Sequence, residues 1–182
     1  MRLPVLSLVT FFLMACGPAA PRVEPPAPTR SSVRLMDYQT VDYLTEASAG
    51  SATFSATPAE VWAALPAAYE ALGIPVTESS PGRRTLGNAG FRTRSLDGKR
   101  VSQYVDCGRS NSGALANLYD VTLTISTSVA DEPEGGATVT TTLDAWARPR
   151  MTNGNPVHCS TKTTLEQRLV ELVAEKVGSA PF

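Results

Sequence analysis

The sequence has one histidine, His158, three cysteines and two tryptophans, and only 7% of its residues are aromatic. A lone histidine excludes a polyhistidine metal centre and the His–Glu metal motifs. Three cysteines without a Cys-x-x-Cys spacing exclude a zinc ribbon and a dithiol redox motif. Neither a glycine-rich phosphate loop nor a Gly-x-Ser-x-Gly elbow occurs. Charged residues make up 18%, and the net charge of -1 leaves no global cationic field to draw nucleic acid. No apolar run is long enough for an ordinary membrane span. What is present is 182 residues, 42% of them hydrophobic, sufficient for one domain with its own core and short for two. No internal repeat breaks this pattern.

The longest apolar run, Leu3 to Leu13, follows Arg2 and has the length of a secretory h-region. Leu13-Met14-Ala15-Cys16-Gly17 closes it and resembles the lipobox of bacterial lipoproteins. That resemblance implies cleavage before Cys16, a diacylglyceryl group on its thiol and an acyl group on its amine. Residues 1–15 are then a signal peptide. Several acyl chains at about 0.8 kcal/mol per buried methylene hold a protein on a membrane essentially permanently. Gly17 rather than Asp after the cysteine resembles the outer-membrane sorting signal, so the expected address is the periplasmic face of the outer membrane. Residues 16–32 carry Pro18, Pro21, Pro25, Pro26 and Pro28. Proline removes donors and favours polyproline II, which makes this stretch a tether reaching about 50 Å at roughly 3.1 Å per residue. Residues 33–182 are left as a single α+β periplasmic domain.

Setting Cys16 aside leaves Cys107 and Cys159, and outside the cytoplasm an even pair is most simply a disulfide. His158 beside Cys159 opens a sharper alternative, a thiol with its base, or a metal site with Asp106. Neighbours on an extended chain point apart, which favours the bridge. No catalytic residue, metal site or cofactor is nominated.

Thr57-Pro58-Ala59-Glu60 combines an N-cap, proline at N1 and glutamate at N3. Val61, Trp62, Leu65, Tyr69 and Leu72 follow at helical spacing up to Gly73, with a kink expected at Pro66. A strand is expected over residues 51–56, and Asp97-Gly98 predicts a hairpin between residues 84–94 and 100–107. Residues 119–129 alternate Tyr119, Val121, Leu123 and Ile125 against Thr122, Thr124 and Ser126. Residues 137–147 return after a turn, with Trp146 opposite Val139, Leu143 and Ala145. Residues 148–160 read as a loop. Thr163 to Glu166 predicts a second capping box, and Leu165, Leu169, Leu172 and Val173 form the stripe of a closing helix with Glu166, Glu171 and Glu175 on its solvated side. The expected fold is α+β: a curved antiparallel sheet of about five strands with a long C-terminal helix across one face.

The lipobox, the proline tether, the opening Ala-Glu-Val-Trp-Ala-Ala-Leu with Leu-Gly-Ile-Pro-Val, and the closing amphipathic helix resemble BamC-type outer-membrane lipoproteins. The likeness covers roughly residues 51–178 and implies a helix-grip fold without enzymatic activity. Those proteins carry two such domains and this chain has room for one.

Charge is segregated along the chain. Residues 83–109 hold seven basic side chains against Asp97 and Asp106, while residues 110–147 hold five acids and no lysine or arginine. Strand-edge charges that block aggregation account for this most simply. A functional reading makes Arg83, Arg84, Arg92, Arg94 and Arg100, together with Trp146, candidates for contact with a partner or a lipid head group. The expected function is a membrane-anchored, non-enzymatic adaptor that binds an envelope protein and not nucleic acid. The alternative is a carrier holding an apolar ligand in a helix–sheet cavity lined by Leu123, Leu143 and Leu169.

Overall fold

The computed structural model describes residues 30–35, 39–44, 48–151 and 154–181. The expected signal peptide and Cys16 lie outside the described residues, as does most of the tether. Strands β1 (Arg30–Leu35) and β2 (Gln39–Leu44) form a separate antiparallel pair. They are followed by β3 (Ser48–Phe54), α1 (Pro58–Leu72), β4 (Glu78–Ser80) and β5 (Thr85–Arg92). The main elements that follow are β6 (Val105–Asp106), β7 (Asp120–Asp131), β8 (Ala137–Arg148), β9 (Val157–Thr161) and α2 (Thr164–Val177), with a one-turn helix over Leu115–Leu118 ahead of β7.

The fold is α+β, as expected, but its main sheet has seven strands rather than about five. The order is β4-β5-β7-β8-β9-β6, every pairing is antiparallel, and β3 joins at β8. The outer edge of β8 is shared: residues 137–143 pair with β3, and Ala145, Trp146 and Ala147 pair with β9. Two strands, β4 and β9, account for the higher count, and the strand expected over residues 100–107 is reduced to β6. β4 and β6 have three and two residues, too few to show a period, and all of β9 but Thr161 lies in the span read as a loop.

The hairpin expected around Asp97-Gly98 contracts to a two-residue ladder, Ser95–Leu96 against Lys99–Arg100. β5 pairs with β7 instead of with residues 100–107. The β5–β7 register shifts between Leu123 and Ile125, with Ala89 and Gly90 forming the bulge on β5. Buried Asn88 holds this bulge by accepting from Gly90 N at 2.8 Å and donating to the Pro75 carbonyl at 2.6 Å.

α1 starts on the predicted capping box: Thr57 Oγ1 accepts from Glu60 N, and the Glu60 carboxylate accepts from Thr57 N. The Thr57 hydroxyl, which donates to the Glu60 carboxylate at 2.7 Å, and after it the Thr57 amide hold this carboxyl below its ordinary value. Gly73, at φ 73°, closes the helix in the left-handed conformation that a residue without Cβ adopts most easily. Pro66 lies within the helix without ending it. α2 begins differently from expectation. Thr163 has φ 58°, its hydroxyl donates to the Lys162 carbonyl, and it makes no cap bond. The second capping box is therefore not formed, and Glu166 turns into the protein at 1% exposure instead of facing solvent.

One face of the sheet carries α1 and α2. Val121, Leu123, Ile125 and Val129 of β7 and Val139, Leu143, Ala145 and Ala147 of β8 are buried there with Leu65, Leu72, Leu165 and Leu169. Thr127 and Thr141 interrupt this apolar alternation at paired positions. Tyr69 Oη lies 2.8 Å from Thr127 Oγ1 and donates to the Leu86 carbonyl, while Thr127 and Thr141 bond at 3.0 Å. Burial pushes the Tyr69 phenol up to about 12, so it remains a neutral donor throughout the physiological range. Tyr69→Phe removes the bond that satisfies this buried pair. It is expected to cost about 1 kcal/mol, read as a lower midpoint in thermal unfolding.

Candidate functional site

The opposite face of the sheet is lined by serine and threonine: Thr122, Thr124, Ser126 and Ser128 on β7, and Thr138, Thr140 and Thr142 on β8. At one end the composition changes. Register places Arg92 of β5 opposite Thr122 of β7, Thr122 opposite Trp146 of β8, and Trp146 opposite His158 of β9. Directly opposed residues of antiparallel strands point to the same face, so these four side chains form one row. Three interstrand steps of about 4.8 Å give the row a length of roughly 14 Å. Flanking it, Arg148 is opposite Asp120 and Asp144 is opposite Thr124.

Trp146 stands 47% exposed, yet its ring is fixed. Its Nε1 donates to one oxygen of Asp144 at 3.0 Å, and His158 Nε2 lies 2.5 Å from the other. The indole and imidazole centroids are 4.7 Å apart and tilted by 48°. Asp144 therefore anchors the indole edge and leaves ring surface open to a ligand.

A groove of about 360 Å³ lies over this row, lined by Arg92, Asp120, Thr122, Trp146, Arg148 and Pro156. A second, of about 350 Å³, shares Arg92 and Asp120 and adds Thr93 and Arg94. The Asp120 carboxylate is taken by Arg150, whose Nε donates at 2.9 Å while Nη2 donates to the Tyr119 carbonyl at 3.0 Å. Arg92, Arg94 and Arg148 are exposed and form no ion pair among the described residues. The two grooves thus make one surface with an aromatic platform, hydroxyls and three guanidinium groups free to take an anion.

The structure divides the residues nominated from sequence. Arg92 and Trp146 meet in one groove, and Arg94 adjoins them. Arg83 and Arg84 lie at the far end of β5, where Arg83 donates to Ser80 and Arg84 pairs with Asp131 at 2.8 Å. Arg100 sits in the two-residue ladder opposite Ser95. The stretch with excess positive charge is therefore not one basic hairpin. Arg148 and Thr122 are not among the nominated contact residues, and the sequence offers His158 only as a base or ligand beside Cys159. The polar face of the residues 119–129 alternation did indicate Thr122, whereas His158 became part of the surface only through the unrecognised β9.

Cys107 and Cys159 form a disulfide, which removes both sulfurs from thiolate or metal chemistry. His158 and Cys159 fall on opposite faces, with Cys159 buried and His158 on the open side. Leu123, Leu143 and Leu169, proposed as lining for a ligand cavity, are fully buried together in the core. A further groove, about 460 Å³, runs between β3 and α2, lined by Gly50, Ser51, Ala52, Glu166, Gln167 and Val170 among others.

No helix among the described residues is long and apolar enough to cross a membrane. No family model matches the chain, and no curated protein or solved structure compared with it does either.

Proposed function

We propose that the protein is a lipid-anchored, non-enzymatic adaptor of the bacterial cell envelope, tethered to the outer membrane through Cys16, with the Arg92–Trp146 end of the open sheet face as its partner-binding surface. The observation that carries this reading is Trp146, a large aromatic side chain held by Asp144, 47% exposed, and flanked by arginines that form no ion pair among the described residues. Tryptophan and arginine are the residue types in which interface binding energy concentrates. An indole fixed before contact loses little entropy on binding. The sequence likeness to BamC-type lipoproteins supports an assembly role and a helix-grip description of the sheet and closing helix. The carrier alternative is less well supported, because its proposed lining is closed core.

Chemical crosslinking of the lipidated protein in its own envelope, followed by affinity purification and mass spectrometry, tests the adaptor reading. Specific protein adducts are expected from the wild type and from Arg83→Ala, and at least a tenfold loss from Trp146→Ala. Cys16→Ser is expected to move the protein out of the membrane fraction. Equal recovery from wild type and Trp146→Ala would show that another surface binds.

A further inference from the structure

We infer that the two joined grooves receive a short acidic segment of the partner protein, laid across the strands with an apolar side chain on Trp146 and carboxylates on Arg92, Arg94 and Arg148. This inference rests on the adaptor reading and names the chemistry of that same surface.

Charge complementarity selects the occupant. Arg150 occupies the carboxylate of Asp120, and Trp146 and His158 occupy that of Asp144. The acids near the groove are thus engaged, while Arg92, Arg94 and Arg148 stand exposed without ion pairs among the described residues. A guanidinium presents a planar fork of donors matched to a carboxylate, and such bidentate contacts are both strong and directional. A cationic or neutral segment would leave three such groups unmatched.

Shape selects an extended chain. Arg92 to Trp146 spans two interstrand steps and His158 adds a third, so the row is about 14 Å long. At about 3.3 Å per residue that length holds roughly four residues of extended peptide. Both Arg92 and Asp120 line both grooves, which makes the channel continuous from Arg94 to Pro156. The aromatic platform sits near one end and the guanidinium pair Arg92 and Arg94 at the other. An apolar residue separated by one or two positions from a pair of acids fits this arrangement. The contact uses side chains above the sheet, not strand addition, because β7 and β8 are paired on both sides.

Site-specific photo-crosslinking tests the inference with the full chain in its native envelope. A benzophenone amino acid replaces Thr122, in the middle of the row, and a second variant carries it at Ser128 on the same open face as a position control. The crosslinked partner peptide is then sequenced by mass spectrometry. The Thr122 probe is expected to attach to a segment with at least two acidic residues within about four positions of the attachment point. Arg92→Glu combined with Arg148→Glu is expected to reduce that adduct at least tenfold, and 0.5 M salt is expected to weaken it several-fold. A protein adduct whose attached segment is neutral or basic, or one insensitive to the double reversal, overturns the inference and leaves the adaptor standing. Attachment to a lipid or a glycan in place of protein overturns the inference too. No protein adduct from either probe, with the disulfide and circular dichroism of the variants unchanged, overturns the adaptor reading itself.

Discussion

Replacing both bridge cysteines, Cys107→Ala with Cys159→Ala, is expected to remove about 4 kcal/mol of stability. The sulfurs close a loop with a sequence separation of 52, and freeing a loop of that size restores about this much entropy to the unfolded chain. Set against a total of about 5–15 kcal/mol, the loss is large, and at roughly 2–4 °C per kcal/mol the midpoint falls by about 8–16 °C. The damage is directed at the candidate site. β9 has five residues, pairs with β8 at Ala145, Trp146 and Ala147, and pairs with β6 at Asp106 and Val105. The bridge fastens this short strand to the end of β6, and β9 carries the His158 ring packed against Trp146. The double variant is therefore also expected to show altered Trp146 fluorescence below its unfolding midpoint. Thermal melts with and without reductant provide the check. The wild type should lose stability in reductant and the variant should not, whereas equal midpoints for the two oxidised proteins would contradict a stabilising bridge.

The elements legible in the sequence are those whose information is local. The Thr57–Glu60 box places the start of α1 because both partners lie within one turn. The β7 and β8 alternations survive because each strand is twelve residues long and buries one face, so the period of two repeats several times. The bridge was legible from cysteine parity. β9 was not: Pro156, Asn155 and Gly154 precede it, and its five residues become a strand because β8 and β6 offer donors and acceptors on either side. The contraction of the Asp97-Gly98 hairpin has the same cause. Residues 85–92 gain six paired positions with long β7, against which a local return to residues 100–107 cannot compete. Half of the candidate site followed. Trp146 and Thr122 were placed by alternation, and Arg92 by local charge, but their meeting depends on a register that only the folded sheet supplies. The opposite charges of residues 83–109 and 110–147 also lose part of their segregation on folding, since Arg84 meets Asp131.

The inward turn of Glu166 yields a pH dependence with a definite sign. Both carboxyl oxygens are buried and neither has a hydrogen-bond partner, and Thr161 Oγ1 is left unpartnered as well. Gly50 allows β3 to pack closely on the stem of this side chain, because a Cβ there would stand 2.5 Å from Glu166 Cβ. Burial pushes the Glu166 carboxyl above its ordinary value, while the nearby amides of Leu165 and Glu166 and the Thr161 hydroxyl pull the other way without overcoming it. Below the unfolded value of 4.5 both states hold the proton and the group costs the fold nothing. Above it the unfolded chain releases the proton while the folded protein retains it, so stability falls with rising pH until the folded carboxyl ionises too. Glu166→Gln removes this slope. It is expected to stabilise the protein by about 2 kcal/mol above neutrality and by almost nothing at pH 4, a gap read from midpoints across pH 4–9. The comparison isolates Glu166, since Glu60 and the other carboxyls are common to both proteins. Parallel midpoint curves for wild type and variant would show that the carboxyl reaches water or a partner in solution. A negative effect of the variant at all pH values would instead assign Glu166 the stabilising role at the start of α2 that Thr163, in its left-handed conformation, does not fill.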